Sequence, residues 1–316
     1  MLKKIRFLIR RHPFLYRFRF LLITNFPGKD YFDSEFSCNN CERCKLPVEF
    51  GAIIEKMDMS KNSTFENAVK IAFELSNGHK RGYGMGIQSK IALKMIYESR
   101  AGVCSDYSQV FIGLCIAAGI KVREWGISED FVMYSPLAGH TFNEIYSTEY
   151  NKWIFIDPSR SIFATDIPTG VPLGICEIIE SVSSKNCKQI KFNVIDDDYK
   201  TASRFSNEDM YLRKGMICYL LSNNCIIKQD EVIKKTRIFP LPLQHIITLI
   251  ARKYYKYNVY TNSNNSEIIH HRFNLMKKSL TSFSNIKCSC ILCKEFKLLG
   301  EGIDGIKSEK YGRCAH

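Results

Sequence analysis

The most informative segment of the chain is Ala101-Gly-Val-Cys-Ser-Asp-Tyr107, because it holds a cysteine at the start of a helical pattern. Apolar residues recur at helical spacing from Val110 to Ala118, and Gly119 stands where a helix C-terminal cap belongs. The pattern predicts a helix over 104–118 that begins at or just after Cys104.

A thiol at the beginning of a helix lies beside unpaired backbone N–H groups and the positive end of the helix dipole. Both stabilise a thiolate and lower the pKa of the thiol. The same N–H groups can donate hydrogen bonds to an oxyanion that develops during acyl transfer. Cys104 is therefore the predicted nucleophile.

Other segments of the chain give the order of helices and strands. The sequence predicts helices over 63–74 and 88–98 before the cysteine, and strands over 120–127, 141–146 and 153–156 after it. Helices followed by consecutive strands indicate an α+β fold, because a doubly wound parallel sheet needs the two to alternate. From about 160 to 235 the pattern gives no clear succession of helices and strands, and Pro168, Pro172 and the Asp196–Asp198 run mark loops.

A nucleophilic thiol needs a base, and an imidazole can take a proton and later return it to the leaving group. His140 opens the segment Gly139-His-Thr-Phe-Asn-Glu-Ile-Tyr146, and Asp157 ends the strand of Lys152-Trp-Ile-Phe-Ile-Asp-Pro158. In an antiparallel hairpin the start of one strand lies beside the end of its partner. We expect Asp157 to accept a hydrogen bond from His140 and to orient it.

These three segments resemble the core of the transglutaminase-like superfamily, which is related to papain. The resemblance is carried by Gly102-Val-Cys104, His140-Thr-Phe-Asn-Glu-Ile-Tyr146 and Trp153-Ile-Phe-Ile-Asp-Pro158, and it covers about 88–165. It implies a nucleophile at a helix N-terminus, packed on an antiparallel sheet that carries the histidine and the aspartate.

The resemblance also implies an upstream side chain in the oxyanion hole. No Trp precedes Cys104, and Tyr83 and Gln88 are candidates by residue type alone. Asp106 is predicted to favour the helix dipole, and Asn143 and Glu144 are predicted to be structural.

The predicted function is cysteine-dependent acyl transfer on the amide bonds of a protein or peptide-like substrate, through a thioester. Water as acceptor makes a protease or amidase, and an amine makes a transglutaminase; we expect hydrolysis. The alternative is a catalytically silent transglutaminase-like module for binding or assembly, peripheral to a membrane through its basic ends.

Charge is distributed unevenly along the chain. Residues 1–29 hold eight Lys or Arg and no acid, residues 228–316 have a net charge of +9, and the middle, 30–227, has a net charge of −4. This pattern does not indicate a basic groove for nucleic acid, and it favours ends that contact an anionic surface or are solvated. The predicted divisions are a basic arm (1–29), a catalytic domain (30–235, with its core at 60–165) and a basic extension (236–316).

Thirteen cysteines without a visible secretory signal favour a reducing cytoplasm with free thiols. Two clusters, Cys38/Cys41/Cys44 and Cys288/Cys290/Cys293, have chelating spacings, but each offers three thiolates and a structural zinc site needs four ligands. The prediction is that the protein uses no metal and no cofactor.

Overall fold

The description rests on a computed structural model that covers most of the predicted core. The described residues are 23–25, 29–33, 46–59, 63–76, 89–99, 102–128, 139–184, 189–196, 211–212, 217–222, 234–236, 238–240, 243, 247 and 256–260.

Helices precede the central strands, as the sequence predicts. The helices of the described residues are α1 (Lys29–Asp33), α2 (Val48–Ile54), α3 (Thr64–Ser76), α4 (Ser89–Ser99), α5 (Cys104–Ala117) and α6 (Ile175–Ser183). A capping box begins α3, since Ser63 N–H donates to Glu66 Oε2 at 2.8 Å and Glu66 N–H donates to Ser63 Oγ at 3.2 Å.

The strands form one eight-stranded sheet in the order β1-β8-β7-β2-β3-β4-β5-β6. All neighbouring pairs are antiparallel except β1 and β8, which are parallel. This arrangement confirms the predicted α+β class. The strands are β1 (Ile23–Asn25), β2 (Val122–Ser128), β3 (Gly139–Ser147), β4 (Lys152–Asp157), β5 (Ile162–Asp166), β6 (Ile190–Val194), β7 (Ile217–Ser222) and β8 (Lys256–Tyr260).

Helix α5 is the central element of the helical layer. It packs against α2, α3 and α4 and against strands β2 and β3. Nearly all its side chains are buried, as expected of a helix surrounded by other elements. Gly119 ends it with a φ of 79°, and Ile120 N–H donates to Cys115 O at 2.8 Å, so the predicted C-terminal cap is confirmed.

The two faces of the sheet support separate cores. Ile145, Ile154 and Ile156 point into the core formed with helices α2 to α5. Phe142 and Phe155 point to the opposite face, where they pack with residues of α1 and α6. Because side chains alternate along a strand, His140 belongs to the face of Phe142, and Asp157 to the face of Phe155.

The stretch from 160 to 235, where the sequence pattern is unclear, includes regular secondary structure. It contains β5, α6, β6 and β7. Pro172 lies in an isolated bridge with Thr165, and Leu173 N–H donates to Ala164 O at 2.8 Å. Pro168 lies in the turn after β5, in agreement with its interpretation as a loop marker. The short elements around it depend on pairing and burial that the local sequence pattern does not reveal.

Segments before and after the predicted catalytic domain each contribute a strand to the sheet. Strand β1 comes from the predicted arm 1–29, and β8 comes from the predicted extension 236–316. Backbone pairing of β8 with β7, and of β1 with β8, joins these strands to the sheet that carries the site. The exact domain boundaries stay a prediction. Within the part of the chain that the structure describes, no helix has the length and apolar character needed to cross a bilayer.

A buried ion pair links strands β2 and β3, and further hydrogen bonds to its carboxylate link these strands to α6. Arg123 Nη2 lies 2.6 Å from Glu144 Oε2, and both side chains are 1% exposed. Trp125 Nε1 also donates to Glu144, and Ile175 N–H donates to Glu144 Oε1 at 2.7 Å. The structural role predicted for Glu144 follows from these contacts, since it joins β2, β3 and α6.

Replacing Glu144 by Ala should lower the free energy of unfolding by about 3–5 kcal/mol, because it leaves the Arg123 guanidinium buried without its carboxylate. Urea unfolding can be followed by the fluorescence of Trp125 and Trp153, which are both buried. The matched control is Glu98→Ala, which removes an exposed ion pair with Lys94 and should change the value by less than about 0.5 kcal/mol. Equal effects of the two substitutions would contradict a structural role for the buried pair.

Candidate active site

The three residues predicted from the sequence lie together at one end of the sheet. Helix α5 begins there with Cys104, β3 begins there with Gly139 and His140, and β4 ends there with Asp157. Cys104 comes from the helical layer, whereas His140 and Asp157 come from the opposite face of the sheet. The site therefore lies where the two layers meet around the strand ends.

Local contacts hold the start of α5 at the site. Val103 N–H donates to Asp106 Oδ2 at 3.0 Å, so Asp106 caps the helix from its first turn. A Cβ at Gly102 would lie 3.1 Å from the Tyr107 ring, which favours glycine at this position. Cys104 is the first helical residue and is partly exposed, whereas the free thiols of Cys115, Cys176 and Cys218 are buried.

His140 and Asp157 are directly hydrogen bonded, with 2.6 Å between His140 Nε2 and Asp157 Oδ2. The strand register pairs Asn143 with Ile156, which makes His140 and Asp157 diagonal neighbours and not directly opposite partners. Diagonal side chains on one face of a sheet are still within reach of each other. The contact expected from the sequence is thus present with a diagonal geometry.

The hydrogen bond to Asp157 determines how His140 faces Cys104. An ionised carboxylate only accepts hydrogen bonds, so Nε2 carries the proton that Asp157 binds. This leaves Nδ1 as the ring nitrogen for the hydrogen bond that joins His140 to Cys104. The three side chains therefore form one continuous chain of hydrogen bonds.

Asp157 is also held by the turn that follows β4. Its Oδ1 accepts from Ser159 N–H at 3.0 Å, from Ser159 Oγ at 2.8 Å and from Arg160 N–H at 3.0 Å. Aspartate followed by proline is a typical beginning of such a turn, in which the side chain accepts from backbone N–H groups further on. These contacts fix the carboxylate, whose residue is fully buried.

A fourth residue, Tyr211, was not predicted from the sequence. Its hydroxyl donates to Asp157 Oδ2 at 2.6 Å, the same oxygen that binds His140. Tyr211 lies in the described pair 211–212, far along the chain from Asp157. No motif or periodicity marks it, and only the tertiary structure brings it to the site.

Burial, charges and hydrogen bonds within the site shift the pKa values of Asp157 and His140. Burial alone would raise the pKa of Asp157, but the charge and hydrogen bond of His140, the charge of Arg160 and the Tyr211 hydrogen bond lower it to about 2. Burial and the charge of Arg160 act to lower the pKa of His140, yet the charge of Asp157 and the hydrogen bonds with Asp157 and Cys104 raise it. The site thus favours an ionised Asp157 and a protonated His140.

Several further predictions fall on other parts of the chain. Tyr83 and Gln88, the oxyanion-hole candidates, lie outside the described residues, as do the clusters Cys38/Cys41/Cys44 and Cys288/Cys290/Cys293. Among the residues that are described, no group of three or more His, Cys, Asp or Glu side chains could hold a metal ion. The proposed absence of a metal therefore stays a prediction for the chain as a whole.

The arrangement has the parts that thiol-dependent acyl transfer requires. It places a partly exposed thiol at a helix N-terminus, an imidazole hydrogen bonded to that thiol, and an ionised carboxylate behind the imidazole. The first N–H groups of a helix have no acceptor within the helix, so they can stabilise an oxyanion beside Cys104.

Comparison with known proteins identifies the region that carries this site. Residues 52–158 match the sequence model of the transglutaminase-like superfamily, and the match includes Cys104, His140 and Asp157. It begins earlier than the region of about 88–165 in which the sequence motifs lie.

One solved structure similar to the chain is described as that of "a Putative Cysteine Protease from Cytophaga hutchinsonii". It is 21% identical to this chain, the match covers 42% of this chain and 43% of that one, and the TM-score is 0.31. The chain therefore matches less than half the length of that protein. No curated protein matches the chain.

The lowered pKa of Asp157 predicts how stability changes in acid. Because this pKa falls from 3.8 to about 2 on folding, the folded chain binds fewer protons between these values. The resulting stabilisation is present above about pH 4 and is lost as the pH falls to about 2, and its size is about 2 kcal/mol. Between pH 5 and pH 2, wild-type protein should lose about that much more unfolding free energy than Asp157→Asn, as measured by urea unfolding at each pH.

Asp166→Asn provides the matched control, since its carboxylate lies in a surface turn with Thr169. That variant should retain the acid-dependent loss seen in wild-type protein. Parallel pH curves for wild type and Asp157→Asn would contradict the ionised, hydrogen-bonded state of Asp157.

Proposed function

We propose that the protein, whose residues 52–158 match the sequence model of the transglutaminase-like superfamily, is a cysteine-dependent enzyme that transfers acyl groups from amide bonds through a thioester. Cys104 is the nucleophile, His140 the general base and acid, and Asp157 the residue that orients His140. The observation that carries the proposal is the hydrogen-bonded chain from Cys104 through His140 to a buried Asp157.

The first half of the reaction forms the acyl-enzyme. In the resting pair the proton of Cys104 already lies on His140, and the Cys104 thiolate attacks the carbonyl carbon of the amide. The negative charge moves to the carbonyl oxygen, where N–H groups at the start of α5 stabilise it. As the tetrahedral intermediate collapses, His140 gives its proton to the leaving amine, the C–N bond breaks and a thioester to Cys104 remains.

The second half of the reaction releases the acyl group. His140, now neutral, takes a proton from water, and the resulting hydroxide attacks the thioester carbonyl. Collapse of this second intermediate breaks the C–S bond, releases a carboxylic acid and restores the Cys104 thiolate beside a protonated His140. Asp157 stays ionised throughout, because its five hydrogen bonds stabilise the charged form.

Hydrolysis is the proposed outcome because water needs no binding site of its own to reach the thioester. The proposed substrates are protein or peptide-like amides. Nucleic acid is not proposed as a partner, because the part of the chain around the site, 30–227, has a net charge of −4.

Trapping of the acyl-enzyme tests the proposal directly. Incubation with the p-nitrophenyl ester of a short N-acyl peptide should add one acyl mass to the intact protein, and hydroxylamine should remove it, as expected of a thioester. Peptide mapping should place the adduct on Cys104. His140→Gln should lower the rate of acylation about 100-fold or more, since it removes general acid–base catalysis.

The matched controls are Cys104→Ala, which should form no adduct, and Cys176→Ala, which changes a buried thiol and should be acylated like wild type. A small primary amine distinguishes the two acceptors: for a hydrolase the decay of the adduct stays unchanged, and for a transglutaminase the amine is acylated and the decay accelerates. Failure of wild-type protein to form any adduct would favour the silent binding module.

A further inference from the structure

Tyr211 occupies a position from which it can act on the proposed site without touching the substrate. Its residue is 1% exposed, and its ring lies among three phenylalanine rings at centroid distances of 4.9–5.7 Å. These rings come from β3, β4 and β6, so the position of Tyr211 is fixed from three strands. The rings concerned are Phe142, Phe155 and Phe192.

The Tyr211 hydroxyl is a permanent hydrogen-bond donor. Burial, with the charge of Asp157 next in size, raises the pKa of Tyr211 well above its usual value, so the phenol keeps its proton over the whole range in which an enzyme works. Its 2.6 Å bond to Asp157 Oδ2 is as short as the bond from His140 Nε2 to the same oxygen. One carboxylate oxygen thus receives two short hydrogen bonds.

Two donors on one oxygen share its negative charge. The Tyr211 hydroxyl draws charge from Asp157, which weakens the attraction of Asp157 for a protonated His140 ring. Tyr211 also contacts the His140 ring edge-on, with 6.3 Å between the centroids. The hydroxyl can therefore fix the carboxylate in place and reduce the proton affinity of the imidazole behind it.

The charged and titratable groups around His140 come from each neighbouring element. Asp157 ends β4, Arg160 lies in the following turn, Cys104 begins α5, and Tyr211 packs edge-on against the imidazole ring. The partner of His140 on β2 is Ile127, which carries no charge. Arg160 also contacts Asp157, with its N–H donating to Oδ1 at 3.0 Å, whereas the Tyr211 hydroxyl donates to Oδ2, the oxygen that binds His140.

We propose that Tyr211 is a positioning residue that fixes Asp157 and lowers the basicity of His140, so that His140 can release its proton to the leaving amine. This role rests on the proposed function. It extends the site beyond residues 52–158, because Tyr211 lies after the segment that matches the superfamily.

The pKa of His140 measures this role without any need for catalysis. In the full-length chain with Cys104→Ala, histidine ring NMR signals are followed between pH 5 and 10, and the His140 signal is assigned by its loss in His140→Gln. Adding Tyr211→Phe keeps the ring contacts and removes the hydroxyl. We expect this change to raise the pKa of His140 by at least about 0.5 units.

The matched control is Tyr260→Phe, which removes a hydroxyl that donates to another carboxylate, Glu180, at 3.1 Å. It should leave the pKa of His140 unchanged. Replacing all tyrosines by 3-fluorotyrosine makes the phenol a stronger donor and should lower the pKa of His140, which provides a test that does not depend on the folding of Tyr211→Phe.

An unchanged or lowered pKa of His140 in Tyr211→Phe, in a protein whose thermal unfolding shows that it is folded, would overturn the inference and leave Tyr211 with a packing role. So would an unchanged or raised pKa in the fluorinated protein. Because the titration uses a protein without its nucleophile, its result is independent of acyl transfer. The proposed function can therefore fail, through absence of an acyl-enzyme, while the positioning role of Tyr211 is upheld, and the reverse also holds.

Discussion

The buried carboxylate of Asp157 is the constraint on which the site depends. A carboxylate that is removed from water must have its charge balanced and its oxygens hydrogen bonded. Here the donors come from the start of β3, from the turn after β4 and from Tyr211. Asp157 can be both buried and ionised only when all of these donors are in position. The site and the surrounding fold therefore stabilise one another.

This constraint also explains why the site lies where two layers of the fold meet. Helix α5 is buried on nearly all sides, and its first residue, Cys104, reaches the strand ends from the helical layer. His140 and Asp157 reach the same place from the opposite face of the sheet. A second buried ion pair, Arg123 with Glu144, holds the strands on that face further along β3. The geometry of the thiol and the imidazole therefore depends on packing on both faces.

The sequence predicted the parts of the site whose signal is local. The start of α5 at Cys104 follows from a short motif and a helical spacing, and the strands of His140 and Asp157 follow from their apolar patterns. Tyr211 could not be predicted, because its contact with Asp157 depends on how distant segments pack. The same reason explains why no clear pattern marks the elements of 160–235, where short elements such as α6 are fixed by pairing and burial.

Cys104 and His140 act in this mechanism as a thiolate and imidazolium pair, and the pH dependence of Cys104 alkylation by iodoacetamide reports whether the pair is present. With the pair, the rate of alkylation should stay nearly constant between about pH 7 and 5.5, whereas an ordinary thiol, with a pKa of about 8.5, slows about tenfold per pH unit. His140→Gln should restore the ordinary dependence. A wild-type rate that falls with pH like that of an ordinary thiol would show that Cys104 and His140 do not form this pair.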